Sequence, residues 1–199
     1  MKIAIIGAGA IGSAIARILT RAGIPAAIAN SRGPQSLAAL TAELGPNLQA
    51  VTVAEAAQAE LMFLAVPWSK IPAAVDGLGP WNGRIVVDTN NPIEAPLFQP
   101  VNLHGKASSA VIQQLLPGAQ VVKAFNHLQP GLLAGDPGAE GGQRVLFVSG
   151  DHAEAKRAVL ALVEQLGFAG IDLGTLDGGG RLAQFPGGPL PALNLVKFG

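Results

Sequence analysis

Six residues near the amino terminus constrain the fold more than any other feature of the chain: Gly7-Ala8-Gly9-Ala10-Ile11-Gly12, a G-x-G-x-x-G run. Alone, the pattern is weak. Here it follows a short apolar run, residues 2–6, and opens residues 10–22, where Ile11, Ala14, Ile15, Ile18 and Leu19 recur at helical spacing before Gly23. A buried strand, a tight turn and an amphipathic helix closed by a glycine make the first half of a βαβ unit. The first glycine allows the turn, the second lets a pyrophosphate approach the backbone, and the third lets helix and strand pack closely. The free N–H groups of the helix start then face phosphate oxygens. Gly7, Ala8, Gly9, Ala10, Ile11 and Gly12 are therefore expected to bind a dinucleotide.

The alternation continues along the chain. Strands are expected over residues 25–29, 61–66, 84–88, 120–124, 144–149 and 168–173. Helices are expected over 35–44, 70–78, 108–115 and 152–166, with Ser108 and Asp151 as N-caps. Strands apolar throughout, alternating with helices, predict an α/β fold: a Rossmann-like, doubly wound parallel sheet covered on both faces. Residues 131–142 read as an exposed loop, and the glycine-rich stretch 174–199 as a small carboxyl-terminal extension. The expected division is 1–126 for the dinucleotide-binding domain and 127–199 for an extension completing the sheet and the acceptor pocket.

The end of the second strand selects the dinucleotide. Sites for NAD usually place Asp or Glu there, against the ribose 2′-hydroxyl. This chain has Asn30-Ser31-Arg32, and no acid occurs before Glu43. Arg32 offers a planar fork to a 2′-phosphate and Ser31 a hydroxyl, which favours NADP. Other strand ends fall at the same sheet edge: Ala65-Val66-Pro67-Trp68, Asp88-Thr89-Asn90-Asn91-Pro92 and Ala124-Phe125-Asn126-His127. Val66-Pro67 supplies an apolar wall near the nicotinamide ribose. Asn90 and Asn91 either hydrogen-bond ribose or carboxamide, or close a turn before Pro92.

Composition excludes other chemistries. With no cysteine there is no thiolate nucleophile, disulfide framework or cysteine-held metal, and a reducing, cytoplasmic setting fits. The histidines, His104, His127 and His152, lack helical pair spacing, so no metal site is expected. The absence of tyrosine removes the Tyr-x-x-x-Lys proton donor of short-chain dehydrogenases. Thirteen basic residues balance thirteen acidic ones, and aromatics are 5%, which argues against nucleic-acid binding. No apolar run is long enough to span a membrane. Met1-Lys2 and the following apolar stretch superficially match a signal peptide, but the spaced glycines favour the strand–turn–helix reading.

At these residues the chain resembles a known family, the F420-dependent NADP oxidoreductases, and is similar to the oxidoreductase domain of six-transmembrane metalloreductases. The motifs are Gly7-Ala8-Gly9-Ala10-Ile11-Gly12, Asn30-Ser31-Arg32, Leu64-Ala65-Val66-Pro67-Trp68, Val86-Val87-Asp88-Thr89-Asn90-Asn91-Pro92 and Val122-Lys123-Ala124-Phe125-Asn126. The resemblance implies a Rossmann domain with a small extension, usually a homodimer. It also implies 2′-phosphate contacts from Ser31 and Arg32, and nicotinamide-side contacts near Pro67, Asn91 and Ala124. In one departure, residues 33–69 contain no Lys or Arg, whereas family members often carry a further cation in that helix. Arg32 is then the only cation expected nearby.

Hydride transfer between NADPH and a deazaflavin (coenzyme F420) or a flavin (FMN or FAD) needs two flat rings held face to face, and no protein acid need act in the chemical step. Trp68, Phe125, Asn126, His127 and Phe185 are the expected walls of an acceptor pocket. Two alternatives stand beside this. One is a reductase of a small carbonyl or imine, which benefits from a positioned acid, here His127, Lys123, Asp88 or Lys70. The other is a non-catalytic NADP-sensing module.

Overall fold

In the computed structural model, residues 1–94 and 97–199 are described. Strand β1 (Ile3–Ile6) leads into helix α1 (Ala10–Arg21) and β2 (Ala26–Ala29). Helix α2 (Ala38–Leu44), β3 (Leu48–Ala50), α3 (Val53–Ala56), β4 (Leu61–Leu64), α4 (Ile71–Val75) and β5 (Ile85–Asp88) follow. A hairpin, β6 (Ile93–Glu94) and β7 (Gln99–Pro100), precedes α5 (Ser108–Leu115), β8 (Gln120–Ala124) and α6 (Pro130–Ala134). The chain ends with β9 (Gln143–Gly150), α7 (Ala153–Gln165), β10 (Ala169–Asp172), α8 (Gly179–Leu182) and β11 (Val196–Lys197).

Among the described residues, six strands run parallel in the order β3-β2-β1-β4-β5-β8. Strand β9 then pairs antiparallel with β8, and β10 runs parallel to β9. The expected Rossmann-like, doubly wound parallel sheet stands, with β9 and β10 running opposite to its six parallel strands. Residues 127–199 extend the same sheet, and β11 adds antiparallel to β9.

Alternation along each central strand divides the core in two. Ile3 and Ile5 of β1, Phe63 of β4 and Val87 of β5 face one side, under Ile15, Ile18 and Leu19 of α1 and Val159 and Val163 of α7. Ala4, Ile6, Met62, Leu64 and Val86 face the other, against Ile71 and Val75 of α4 and Ile112 of α5. Successive side chains point to opposite faces, so a sheet covered on both faces requires strands apolar at every position.

Helix α1 ends as its sequence predicts. Gly23 takes φ +70°, Gly23 N–H donates to the Thr20 carbonyl and Ile24 N–H to the Leu19 carbonyl, a Schellman arrangement. Two expected N-caps are corrected. Helix α5 is capped by Ala107, and Ser108 already belongs to the helix with its buried hydroxyl unpartnered. Helix α7 starts after His152, and Asp151 instead accepts from Leu176 N–H at 3.0 Å. The expected loop over 131–142 contains most of α6, whose Leu133 is fully buried.

Candidate functional site

Strand register lines up the site. Ile6 aligns with Ala29 and Leu64, Leu64 with Asp88, and Asp88 with Lys123. Gly7, Asn30, Ala65, Thr89 and Ala124 therefore emerge as one row at the carboxyl edge of the sheet. Helix α1 packs on one face and α4 on the other, so a crevice opens between the ends of β1 and β4.

The three motif glycines meet different surroundings. At Gly7, φ is +110° and a Cβ would overlap the Ala65 carbonyl. At Gly12, a Cβ would overlap the Gly7 carbonyl, so this glycine permits the contact between helix and turn. At Gly9, which precedes α1 without any side-chain cap, a Cβ would meet nothing within 4 Å. Gly9 thus leaves open space in front of the helix's unpaired N–H groups.

That space belongs to a cavity of about 710 Å³. It gathers nine of the expected residues: Gly7, Ala8, Gly9, Asn30, Ser31, Arg32, Ala65, Val66 and Pro67. Ala10, Ile11 and Gly12 form the helix start behind it. Asn30 shapes the loop: its Oδ1 accepts from Arg32 N–H at 2.9 Å, and its Nδ2 donates to Ser36 Oγ at 2.9 Å. Ser31 and Arg32 are left exposed at the rim. Val53, Ala73, Ala74 and Leu78 add an apolar wall that sequence reasoning missed. So does a second cation, Lys70, which corrects the expectation that Arg32 stands alone.

The other end of the row is built differently. Asn91 does not line the cavity. Its Nδ2 donates to the Asn126 carbonyl at 2.8 Å, and its Oδ1 accepts from Asn126 Nδ2 at 3.0 Å and from Phe185 N–H at 3.0 Å. Asn126 Nδ2 also donates to the Ala183 carbonyl at 2.7 Å, and Gln184 Oε1 accepts from Ser108 N–H at 2.9 Å. Residues 183–185 are thereby fastened across the ends of β5 and β8. Asn90 is spent inside the fold, donating to the Leu64 carbonyl at 2.9 Å and to Asp88 Oδ1 at 3.1 Å.

Three expected contacts are corrected. Ala124 is fully buried, so only its main chain lies at the edge. Phe125 is fully buried at φ +62° and packs edge-on against Phe63, 5.3 Å between ring centroids. Its ring props the floor from beneath and presents no face to a ligand. His127 is buried against Phe147, and Ala192 N–H donates to its carbonyl. Neither imidazole nitrogen has a hydrogen-bond partner, and burial pushes its pKa down to about 4. The Val145 carbonyl pulls weakly the other way but falls short of hydrogen-bond geometry. Trp68 and Phe185 remain accessible, Trp68 partly and Phe185 with 41% of its surface exposed.

Two of the other acid candidates are also buried, whereas Lys70 is exposed at the cavity. Lys123 Nζ lies 3.1 Å from Asp88 Oδ2, with both side chains essentially inaccessible. The ammonium also donates to the Asn90 carbonyl at 2.8 Å, and Ser109 Oγ donates to Asp88 Oδ2 at 2.6 Å. This buried network holds the β5 and β8 ends together.

The comparisons with known proteins agree with this geometry. A family model described as NADP oxidoreductase, coenzyme F420-dependent, matches residues 2–92. A crystal structure from Arthrobacter sp. FB24, provisionally assigned as an F420-dependent NADP-reductase, is 32% identical, covers 88% of this chain and 86% of that one, and superposes with a TM-score of 0.75. The chain belongs to the F420-dependent NADP oxidoreductase family. A hypothetical protein, SMa0349, from Sinorhizobium meliloti is 50% identical over 100% of this chain and 96% of that one, at a TM-score of 0.95. Metalloreductase STEAP3 of Rattus norvegicus is 31% identical over 96% of this chain and 37% of that protein. The chain spans a little over a third of the length of the curated relatives it matches. Family membership carries the Rossmann-like fold. Among the described residues no helix is long and apolar enough to cross a membrane.

Proposed function

We propose that this chain is an NADPH-dependent reductase exchanging hydride with a flat tricyclic acceptor, either a deazaflavin such as coenzyme F420 or a flavin such as FMN or FAD. The observation that carries the acceptor reading is the fate of the four acid candidates. Asp88 and Lys123 are locked together in the interior and His127 is buried without a partner, while Lys70, the one that is exposed, lines the dinucleotide cavity beside Arg32. A carbonyl or imine acceptor benefits from a positioned proton donor. A ring that delocalises the incoming charge does without one.

The cavity suits a 2′-phosphorylated dinucleotide, whose nicotinamide supplies the hydride when bound. Gly7, Ala8 and Gly9 leave room for a diphosphate before the N–H groups of Ala10, Ile11 and Gly12. Ser31 and Arg32 hold the 2′-phosphate, and Asn30 sets the loop that presents them. Ala65, Val66 and Pro67 form the wall for the nicotinamide ribose, while Asn91 and the Ala124 main chain close that end. Trp68, Phe185 and the Asn126 main chain border the acceptor and exclude water. Residues 1–126 thus bind the dinucleotide and 127–199 build the acceptor side. A homodimer is proposed with it, on the family resemblance.

The test is NADPH oxidation with F420, with FMN or FAD, and with a panel of aldehydes and imines. Turnover is expected with a tricyclic acceptor. Turnover confined to the aldehydes and imines contradicts the reading, and tight NADPH binding without turnover points to a sensor. Arg32→Ala should weaken NADPH at least about tenfold more than NADH, the scale of a charge-assisted phosphate contact. Equal loss would remove Arg32 from the 2′-phosphate.

A further inference from the structure

The segment after β4 brings a cation to the dinucleotide cavity that residues 33–69 do not supply. Lys70 ends a single 3₁₀ turn, Trp68–Lys70, and lines the same cavity as Ser31 and Arg32. It is exposed, and among the described residues neither its ammonium nor the Arg32 guanidinium forms an ion pair. Asp76 is the acid on the same wall, so two cations stand against one carboxylate. The surplus suits an anion that carries more than one charge.

The turn is held while the side chain is free. Ser69 N–H donates to Glu94 Oε1 at 2.7 Å and Ser69 Oγ to Glu94 Oε2 at 3.0 Å. Lys70 N–H donates to the Pro67 carbonyl at 2.8 Å. The base of the lysine is thereby fixed on the β4 side of the cavity, while Ser31 and Arg32 rise from the β2 side. Val53, Ala73, Ala74 and Leu78 line the same cavity with apolar surface suited to the face of a purine. A phosphomonoester carries about −1.5 to −2 charges at neutral pH, more than one guanidinium neutralises.

We propose that Lys70 is a specificity-determining residue that, with Ser31 and Arg32, binds the 2′-phosphate of NADP and sets its preference over NAD. The proposal rests on the reading that this cavity holds the dinucleotide. Lys70 takes the place of the missing cation after Arg32, reaching the same phosphate from the opposite wall.

The experiment is equilibrium titration of the wild type, Lys70→Met and Lys70→Arg with NADPH and NADH. Lys70 is exposed and unpaired, so both variants should fold, which thermal melting verifies. Lys70→Met should weaken NADPH about three- to tenfold, the range of a partly exposed charged contact, and leave NADH unchanged. Lys70→Arg should retain most of the NADPH affinity. The wild-type advantage for NADPH should shrink as salt is raised. Equal weakening of both nucleotides would place Lys70 on the diphosphate and overturn the proposal, as would no change in either. A wild type that binds neither nucleotide would overturn the cavity reading itself.

Discussion

Gly9 and Gly12 lie three residues apart in one loop, yet a methyl group at each meets opposite surroundings. At Gly12 it collides with the Gly7 carbonyl, backbone that cannot move without disturbing both β1 and α1. Gly12→Ala should therefore cost roughly 2–4 kcal/mol of stability, measured by urea unfolding. At Gly9 it enters open space. Gly9→Ala should leave stability within about 1 kcal/mol while lowering NADPH affinity more than about tenfold. Unchanged affinity would take the diphosphate away from Gly9. Both roles were legible in the sequence, because the motif fixes which glycine faces the helix and which the ligand. Lys70 was not, since 38 positions separate it from Arg32 and the pairing of β1 with both β2 and β4 is what brings the two loops to one cavity. Phe125 and His127 were misplaced for a related reason: they extend a strand's apolar pattern past its end, and the fold turns both inward.

At the scale of elements, what was legible followed from length and pattern. The central strands and α1 declare themselves by uniform burial and helical spacing. The reversal of β9 does not, because an apolar run carries no direction. Strand β3 has three residues, too few to show a period. Helix α3 has four, but its Thr52–Glu55 capping box is a real sequence signal: Glu55 N–H donates to Thr52 Oγ1, and the Glu55 carboxylate accepts from Thr52 N–H. The proposed acceptor side depends on residues 183–185, whose anchors come from Asn91, Asn126 and Ser108, far away in sequence. Phe185→Ala keeps those main-chain bonds and removes only the exposed ring. It should raise the KM for the acceptor roughly five- to tenfold and leave NADPH affinity unchanged. If steady-state kinetics show no change for either substrate, residues 183–185 do not border the acceptor.

For the whole molecule, the buried His127 links folding to pH. Its pKa falls from 6.5 in the unfolded chain to about 4 in the fold, because burial opposes the charged ring. Between these values the unfolded chain holds a proton that the folded chain refuses, so stability is lost as pH falls through this window and levels off below it. The loss amounts to roughly 3 kcal/mol. Comparing urea unfolding of the wild type with His127→Leu across that window isolates it, since the carboxylates are common to both. Parallel curves would mean that His127 is solvated in the fold.

The central claim is direct hydride exchange between NADPH and a ring held beside it. It is tested most directly with NADPH deuterated at the transferred position of the nicotinamide and oxidised F420 as acceptor. The carbon that receives hydride in a deazaflavin keeps its label, so mass spectrometry of the product reads the transfer. The account predicts one deuterium in the reduced deazaflavin for each NADPH oxidised. NADPH oxidation with no label in the deazaflavin, or no oxidation with F420, FMN or FAD by protein that binds NADPH tightly, would contradict it.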